Sequence, residues 1–161
     1  MRSELPPNCI PAELVSRAGF LLGRLGMGIK TATMEAFEAE GFSAYHYSVL
    51  AALDEGPRTA QTALAEALQL DPSYLVALLD GLEERGLVER RRDPNDRRRQ
   101  MVNLTAAGKR QLASFRKMVQ RIEDEFLSAL DEDERATLHD LLLRVAHQRD
   151  ARFVVPAAVR S

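Results

Sequence analysis

The chain reads as a mainly α protein carrying one small β-hairpin, and three observations lead there. Apolar residues recur at three- and four-residue spacing through both ends of the 161-residue chain, as amphipathic helices require. Near the middle, Gly86 closes one such run, and two short segments then flank Asp93-Pro94-Asn95-Asp96, residues that favour a tight reversal over helix. Seven arginines crowd residues 85–99: Arg85, Arg90, Arg91, Arg92, Arg97, Arg98 and Arg99. Against Glu89, Asp93 and Asp96 they leave a local charge of +4 on a chain whose net charge is −2. A positive patch on an oppositely charged body orients a polyanion, where a uniformly basic chain would bind it anywhere.

The elements follow in order. After Pro6, Pro7 and Pro11, the spacing of Leu14, Ala18, Leu21, Leu25 and Ile29 predicts one helix running to about Glu38, ended by Gly41. A second helix is expected over 43–53, stopped by Glu55-Gly56-Pro57, and a third after Thr59, its expected cap, through Leu64 and Leu68. The next start signal is stronger. Asp71 is placed to accept free amide hydrogens, and Pro72 supplies the preset φ of a first helical position, so a helix runs from Pro72 to Arg85. Its apolar stripe is Leu75, Leu78, Leu79 and Leu82, which turns Ser73, Ala77, Asp80, Gly81 and Glu84 outward and puts Tyr74 and Val76 on the flanks. Strands over 87–92 and 99–104 form the hairpin. Thr105 caps a helix carrying Leu112, Phe115, Val119, Ile122 and Phe126, and a last helix spans about Glu132 to Gln148 with Leu138, Leu141, Leu142 and Val145.

The outer helices carry more apolar surface than a small domain needs, so a helical interface completed by a second copy is expected. The boundaries that follow are 1–40 for an N-terminal dimerisation helix, 41–108 for the helix-turn-helix and its hairpin, and 109–161 for C-terminal dimerisation helices. A 45% hydrophobic content suffices for a core, and no run approaches the roughly 20 apolar residues of a membrane span. The opening MRSELPPNCIP lacks the apolar stretch of a secretory signal, and one cysteine forms no intramolecular disulfide, which makes the cytoplasm the expected compartment.

Three blocks carry a family resemblance: Leu82-Glu83-x-x-Gly86-Leu87-Val88-x-Arg90, then Asp93-Pro94-x-Asp96-x-Arg98, then Val102-x-Leu104-Thr105-x-x-Gly108. Together they resemble the signature of the MarR family of bacterial transcriptional regulators, over roughly Gly41 to Leu112. The resemblance implies a winged helix-turn-helix in a two-fold dimer, most often a repressor. It implies that the helix from Pro72 enters the major groove of DNA and that Arg98 enters the minor groove. A guanidinium suits a narrow A·T-rich minor groove, where the negative potential is enhanced.

The expected DNA contacts are Ser73, Tyr74, Val76 and Ala77 on the helix and Arg97, Arg98 and Arg99 on the wing, with Asp96 supporting the wing turn. Many family members carry Thr and Arg where this chain has Val76 and Ala77, so base-reading donors are scarce, and thymine-methyl contacts and minor-groove shape are expected to carry specificity. The resemblance also implies a crevice for a small aromatic or phenolic ligand, for which His46, Arg17 and Arg24 are the candidate residues. His46 falls on the apolar face of its helix, where a hydrogen-bonded packing role is the stronger reading.

No cofactor or metal is expected. His139 and His147 lack a carboxylate partner pattern, and Cys9 stands in a Pro-rich lead with Arg2 as its one nearby basic residue, a poor setting for a reactive thiol. An enzyme is disfavoured by the lack of a Gly-rich phosphate loop or nucleophile motif. The competing class is a winged-helix interaction module whose arginines dock an acidic protein.

Overall fold

Residues 9–56, 61–92 and 100–154 are described by the structure, a computed structural model. Among them lie helices α1 (Ala12–Val15), α2 (Ala18–Ala39), α3 (Ala44–Asp54), α4 (Gln61–Leu68) and α5 (Pro72–Glu84). The hairpin β1 (Val88–Arg92) and β2 (Gln100–Leu104) follows, then α6 (Ala106–Phe126) and α7 (Glu132–Arg149). The mainly α architecture with one hairpin is the expected one. Thr59, Asp96 and Arg97–Arg99 lie outside the described residues.

The first helix departs from its expectation. A single run to Glu38 is interrupted between α1 and α2, where Arg17 is extended (φ −99°, ψ 112°). Ser16 just before it donates its hydroxyl to the Glu13 carbonyl at 2.8 Å, a local bond of the kind by which serine competes with helix. The ends of α2, α4 and α5 share one device. Gly41 (φ +74°), Gln69 (φ +54°) and Gly86 (φ +67°) adopt the left-handed conformation, and the next residue's amide reaches five residues back: Phe42 to Phe37, Leu70 to Ala65, Leu87 to Leu82. These turns stop the helices sharply and fix the angle at which the next segment leaves.

The chain divides into two compact units, one through Ile122 and one from Glu123, with the boundary inside α6. The first unit holds the core. Phe115 of α6 is fully buried and meets Phe37 of α2 (ring centroids 4.9 Å apart), Phe42 (5.0 Å) and Tyr47 of α3 (6.3 Å), edge to face in each case. Leu50, Leu64, Leu75, Leu79, Leu82 and Val88 complete it, and no polar or charged residue among those described is buried. In the hairpin Val88 pairs with Leu104, Arg90 with Val102 and Arg92 with Gln100 in antiparallel register.

In the second unit, Asp131 and Glu134 cap α7 reciprocally, the Asp131 carboxylate accepting from the Glu134 amide (2.9 Å) and the Glu134 carboxylate from the Asp131 amide (3.0 Å). Arg135 donates to Asp124 at 2.7 Å. Leu141, Leu142 and Val145 of α7 are exposed.

Candidate nucleic-acid interface

The helix-turn-helix is α4 and α5, and α5 is built to present its first turn. Asp71 caps it, one carboxylate oxygen accepting from the Ser73 amide (2.8 Å) and the Tyr74 amide (3.3 Å), with Pro72 at the first helical position. Hydrogen bonds from Ser73 and Tyr74 hold the Asp71 carboxyl below its ordinary value. Leu75, Leu78, Leu79 and Leu82 are buried, which forces Ser73, Tyr74, Val76 and Ala77 onto the exposed face. The four helix residues expected to read DNA therefore share one solvent face.

The wing arginines separate into different roles. Arg90 of β1 turns back onto α5: its Nη1 donates to Asp80 (2.5 Å) and Glu83 (3.0 Å), its Nη2 to the Val76 carbonyl (3.4 Å), and its backbone amide to Glu83 (3.1 Å). Its side chain is only 17% exposed. Asp80 projects from the solvent face of α5, so Arg90 both ties the wing to the helix and offsets half the charge of the two carboxylates that would repel phosphate. Arg85 donates to the Gly41 carbonyl (2.8 Å) and stacks over Phe42, its guanidinium carbon 4.2 Å from the ring centroid. Arg91 pairs with Glu89 on its own strand. Arg92, exposed, leads towards the wing tip.

The wing is also bolted to α6. The Thr105 hydroxyl donates to the Gly86 carbonyl (2.7 Å) and accepts from the Gly108 amide (3.0 Å), while the Thr105 amide donates to the Leu87 carbonyl (3.1 Å). A Cβ at Gly108 would fall 2.0 Å from that same carbonyl oxygen. The Leu-Thr-x-x-Gly block is thus the joint at which helix, turn and strand approach too closely for a side chain.

A cavity of about 520 Å³ opens between α2 and α3. Ile29, Thr33 and Met34 line it from α2, and Ala44, Tyr45 and Ser48 from α3; Lys30 and Glu38 are its charged lining residues. Tyr45 also touches Tyr74 of α5, ring centroids 5.5 Å apart and planes at 88°. The candidate ligand residues are not gathered here. His46 caps α3, its Nδ1 accepting from the Ser43 amide (3.0 Å) and lying 2.9 Å from the Ser43 hydroxyl. Burial first, then the Arg85 guanidinium, push the His46 imidazole below 6.5. Arg24 lines a separate groove on α2 with Thr31 and Glu35, roughly 20 Å along the helix from Glu38. Arg17 is exposed at the N-cap of α2, farther still. Cys9 is exposed and unbridged, and no group of three potential metal ligands occurs among the described residues.

With this geometry in hand, similarity to known proteins decides the family. A Thauera aromatica protein whose name assigns it, provisionally, to transcriptional regulation of the hcr operon is 34% identical over 163 residues, covering 96% of this chain and 95% of that one. The model of the MarR family matches residues 42–99, from just before α3 into the wing. The chain belongs to the MarR family. Two solved structures share the fold. The transcriptional repressor CouR bound to a 23-mer DNA duplex has a TM-score of 0.72 and 33% identity, over 86% of this chain and 98% of that one. CouR from Rhodococcus jostii RHA1 bound to p-coumaroyl-CoA has a TM-score of 0.67 and 32% identity, over 84% and 96%. The fold is therefore the winged helix-turn-helix of MarR-family transcriptional regulators, flanked by N- and C-terminal helices, with α5 in the recognition-helix position and β1–β2 as the wing.

Proposed function

We propose that this MarR-family regulator acts in the cytoplasm as a homodimeric repressor that binds a pseudo-palindromic operator and is released by a small aromatic or phenolic ligand. It works by binding and performs no catalysis. Recognition helix α5 lies in the major groove with Ser73, Tyr74, Val76 and Ala77 towards base edges and phosphates. Arg98 enters the minor groove, Arg97 and Arg99 meet phosphates, and Asp96 supports the turn.

One observation carries the reading: α5 is capped, backed by a buried leucine stripe, and has the charge of Asp80 and Glu83 partly offset by Arg90, while its first turn offers a small apolar and hydroxylic face to DNA. The DNA-bound CouR neighbour supports it. With no Arg, Asn or Gln on the first turn, discrimination comes from thymine methyls and from groove shape under the wing. A second copy is supported by the exposed Leu21, Leu22, Leu25 and Met27 of α2 and, within the other unit, by Leu141, Leu142 and Val145 of α7, patches that a solitary chain would leave wet.

A ligand is supported by the α2–α3 cavity, whose volume falls within the ~300–1,000 Å³ of small-molecule sites, and by the p-coumaroyl-CoA held by CouR. Lys30 is placed to meet a carboxylate, while His46 serves the α3 cap and Arg17 and Arg24 lie along α2. Selection of genomic fragments by the purified protein tests the proposal. The expected product is a palindrome with A·T-rich flanks and half-sites about one helical turn apart. Recovery of no sequence, or of a site dominated by G·C contacts and indifferent to A·T content, overturns it.

A further inference from the structure

Tyr45 stands in two places at once: it lines the α2–α3 cavity, and its ring meets that of Tyr74 edge to face, centroids 5.5 Å apart. Tyr74 belongs to the first turn of the recognition helix, on the surface offered to DNA. Its backbone is fixed, since the Tyr74 amide is held by Asp71. What remains free at Tyr74 is the ring, and among the described aromatic side chains its partner is Tyr45. A cavity wall and a DNA-reading side chain thus share one aromatic contact.

We propose that the Tyr45–Tyr74 contact is the element through which occupancy of the cavity is read at the recognition helix, with Tyr45 a positioning residue that sets the Tyr74 ring. This rests on the function proposed above. An empty cavity leaves Tyr45 free to hold Tyr74 in the orientation that meets DNA. A ligand that takes up the wall occupied by Tyr45 displaces its ring, and Tyr74 loses that aromatic brace. A ligand shifts an equilibrium only by its differential affinity for the two states. The coupling carried by one edge-to-face pair is accordingly bounded at a few-fold to about tenfold in operator affinity for each copy of the dimer. Tyr47, the third tyrosine, stacks in the core on Phe37, meets Phe115 edge to face, and takes no part.

The test fills the cavity covalently. The full chain carries Cys9→Ser and Ser48→Cys, and N-phenylmaleimide at position 48 places an aromatic ring in the cavity without reliance on an identified ligand. Fluorescence anisotropy on the selected operator compares labelled with unlabelled protein, in this parent and with Tyr45→Leu or Tyr45→Phe added. The label is expected to weaken binding about five- to tenfold in the parent and in the Tyr45→Phe variant, both of which keep a ring at that position, and less than twofold in Tyr45→Leu. Equal weakening in all three, or none in the parent, overturns the proposal. Tyrosine-selective NMR reads the contact without DNA: the label should move the Tyr74 ring resonance in the parent and leave it in place in Tyr45→Leu. A chain that binds operator but whose Tyr74 resonance ignores the label overturns the coupling. A chain whose Tyr74 responds but which selects no DNA sequence overturns the repressor and leaves the coupling standing.

Discussion

Gly108→Ala adds one methyl at the joint between wing and α6, and its cost follows from distances already fixed. The new Cβ would lie 2.0 Å from the Leu87 carbonyl oxygen and 3.2 Å from Leu104 Cδ2, with ordinary contact beginning near 3.4 Å. The obstacle is backbone, so relief requires α6 or the α5–β1 turn to shift by more than about 1 Å. That shift stretches the Thr105 amide bond to Leu87 and the Thr105 hydroxyl bond to Gly86. With net values of about 1 kcal/mol for each hydrogen bond, about 1–3 kcal/mol for overpacking and up to about 1 kcal/mol regained from alanine's helix preference, destabilisation of about 2–5 kcal/mol is expected. Gly81→Ala is the control: Gly81 sits inside α5 with open space where its Cβ would go, so the same chemical change should stabilise by roughly 0.5–1 kcal/mol. Urea denaturation at matched protein concentration measures both. If Gly108→Ala proves as stable as Gly81→Ala, the close approach of α6 to Leu87 is wrong.

Two further predictions come from the site. Arg90→Ala leaves Asp80 and Glu83 uncompensated beside the DNA face and frees the wing from α5; operator affinity should fall roughly tenfold or more, against a stability loss of only about 1 kcal/mol for so exposed a pair of carboxylates. Arg90→Lys should restore binding only in part, because an ammonium can meet the two carboxylates that Nη1 meets but has no second nitrogen to reach the Val76 carbonyl at the same time. His46 gives a pH dependence of known sign. Its folded-state pKa lies below 6.5, so the unfolded chain binds the extra proton; the contribution is complete above pH 6.5 and is lost as pH falls towards the depressed value. Thermal melts of His46→Gln should show a flatter acid limb than the parent, and parallel limbs would contradict the neutral Nδ1 cap.

What the sequence made legible, and what it hid, divides along one physical line. Periodicity, caps and stops are local, and they located α5 from Asp71 to Gly86, its buried leucines and the hairpin within a residue or so. The same locality turned Ser73 and Ala77 outward, and the structure exposes Tyr74 and Val76, read as flanking the stripe, beside them. The break at Ser16–Arg17 escaped because the apolar spacing continues across it, while the interruption lies in backbone angles. Contacts between elements were out of reach. Seven arginines read as one patch, yet Arg90 answers carboxylates seven and ten residues back, and Arg85 answers a carbonyl 44 residues away. The meeting of Tyr45 with Tyr74 depends on the α3–α5 packing and has no signature in spacing. Gly108 did announce itself within the Leu-Thr-x-x-Gly block, but its reason, a carbonyl from the preceding turn, needed the fold.

The central claim is that the wing arginines hold DNA electrostatically and read the shape of its minor groove, and operator affinity across a salt series tests it most directly. Each guanidinium that displaces counterions from the duplex, in the minor groove between the two phosphate rows as well as at a phosphate itself, contributes about 0.9 to the slope of log affinity against log salt, so Arg98→Ala, removed from both copies of a dimer, should flatten that slope by about 2. The same variant should relax the preference for A·T pairs beneath the wing while unfolding as the parent does, within about 0.5 kcal/mol. An unchanged slope and an unchanged base preference would contradict the account and favour a wing that serves a partner other than DNA.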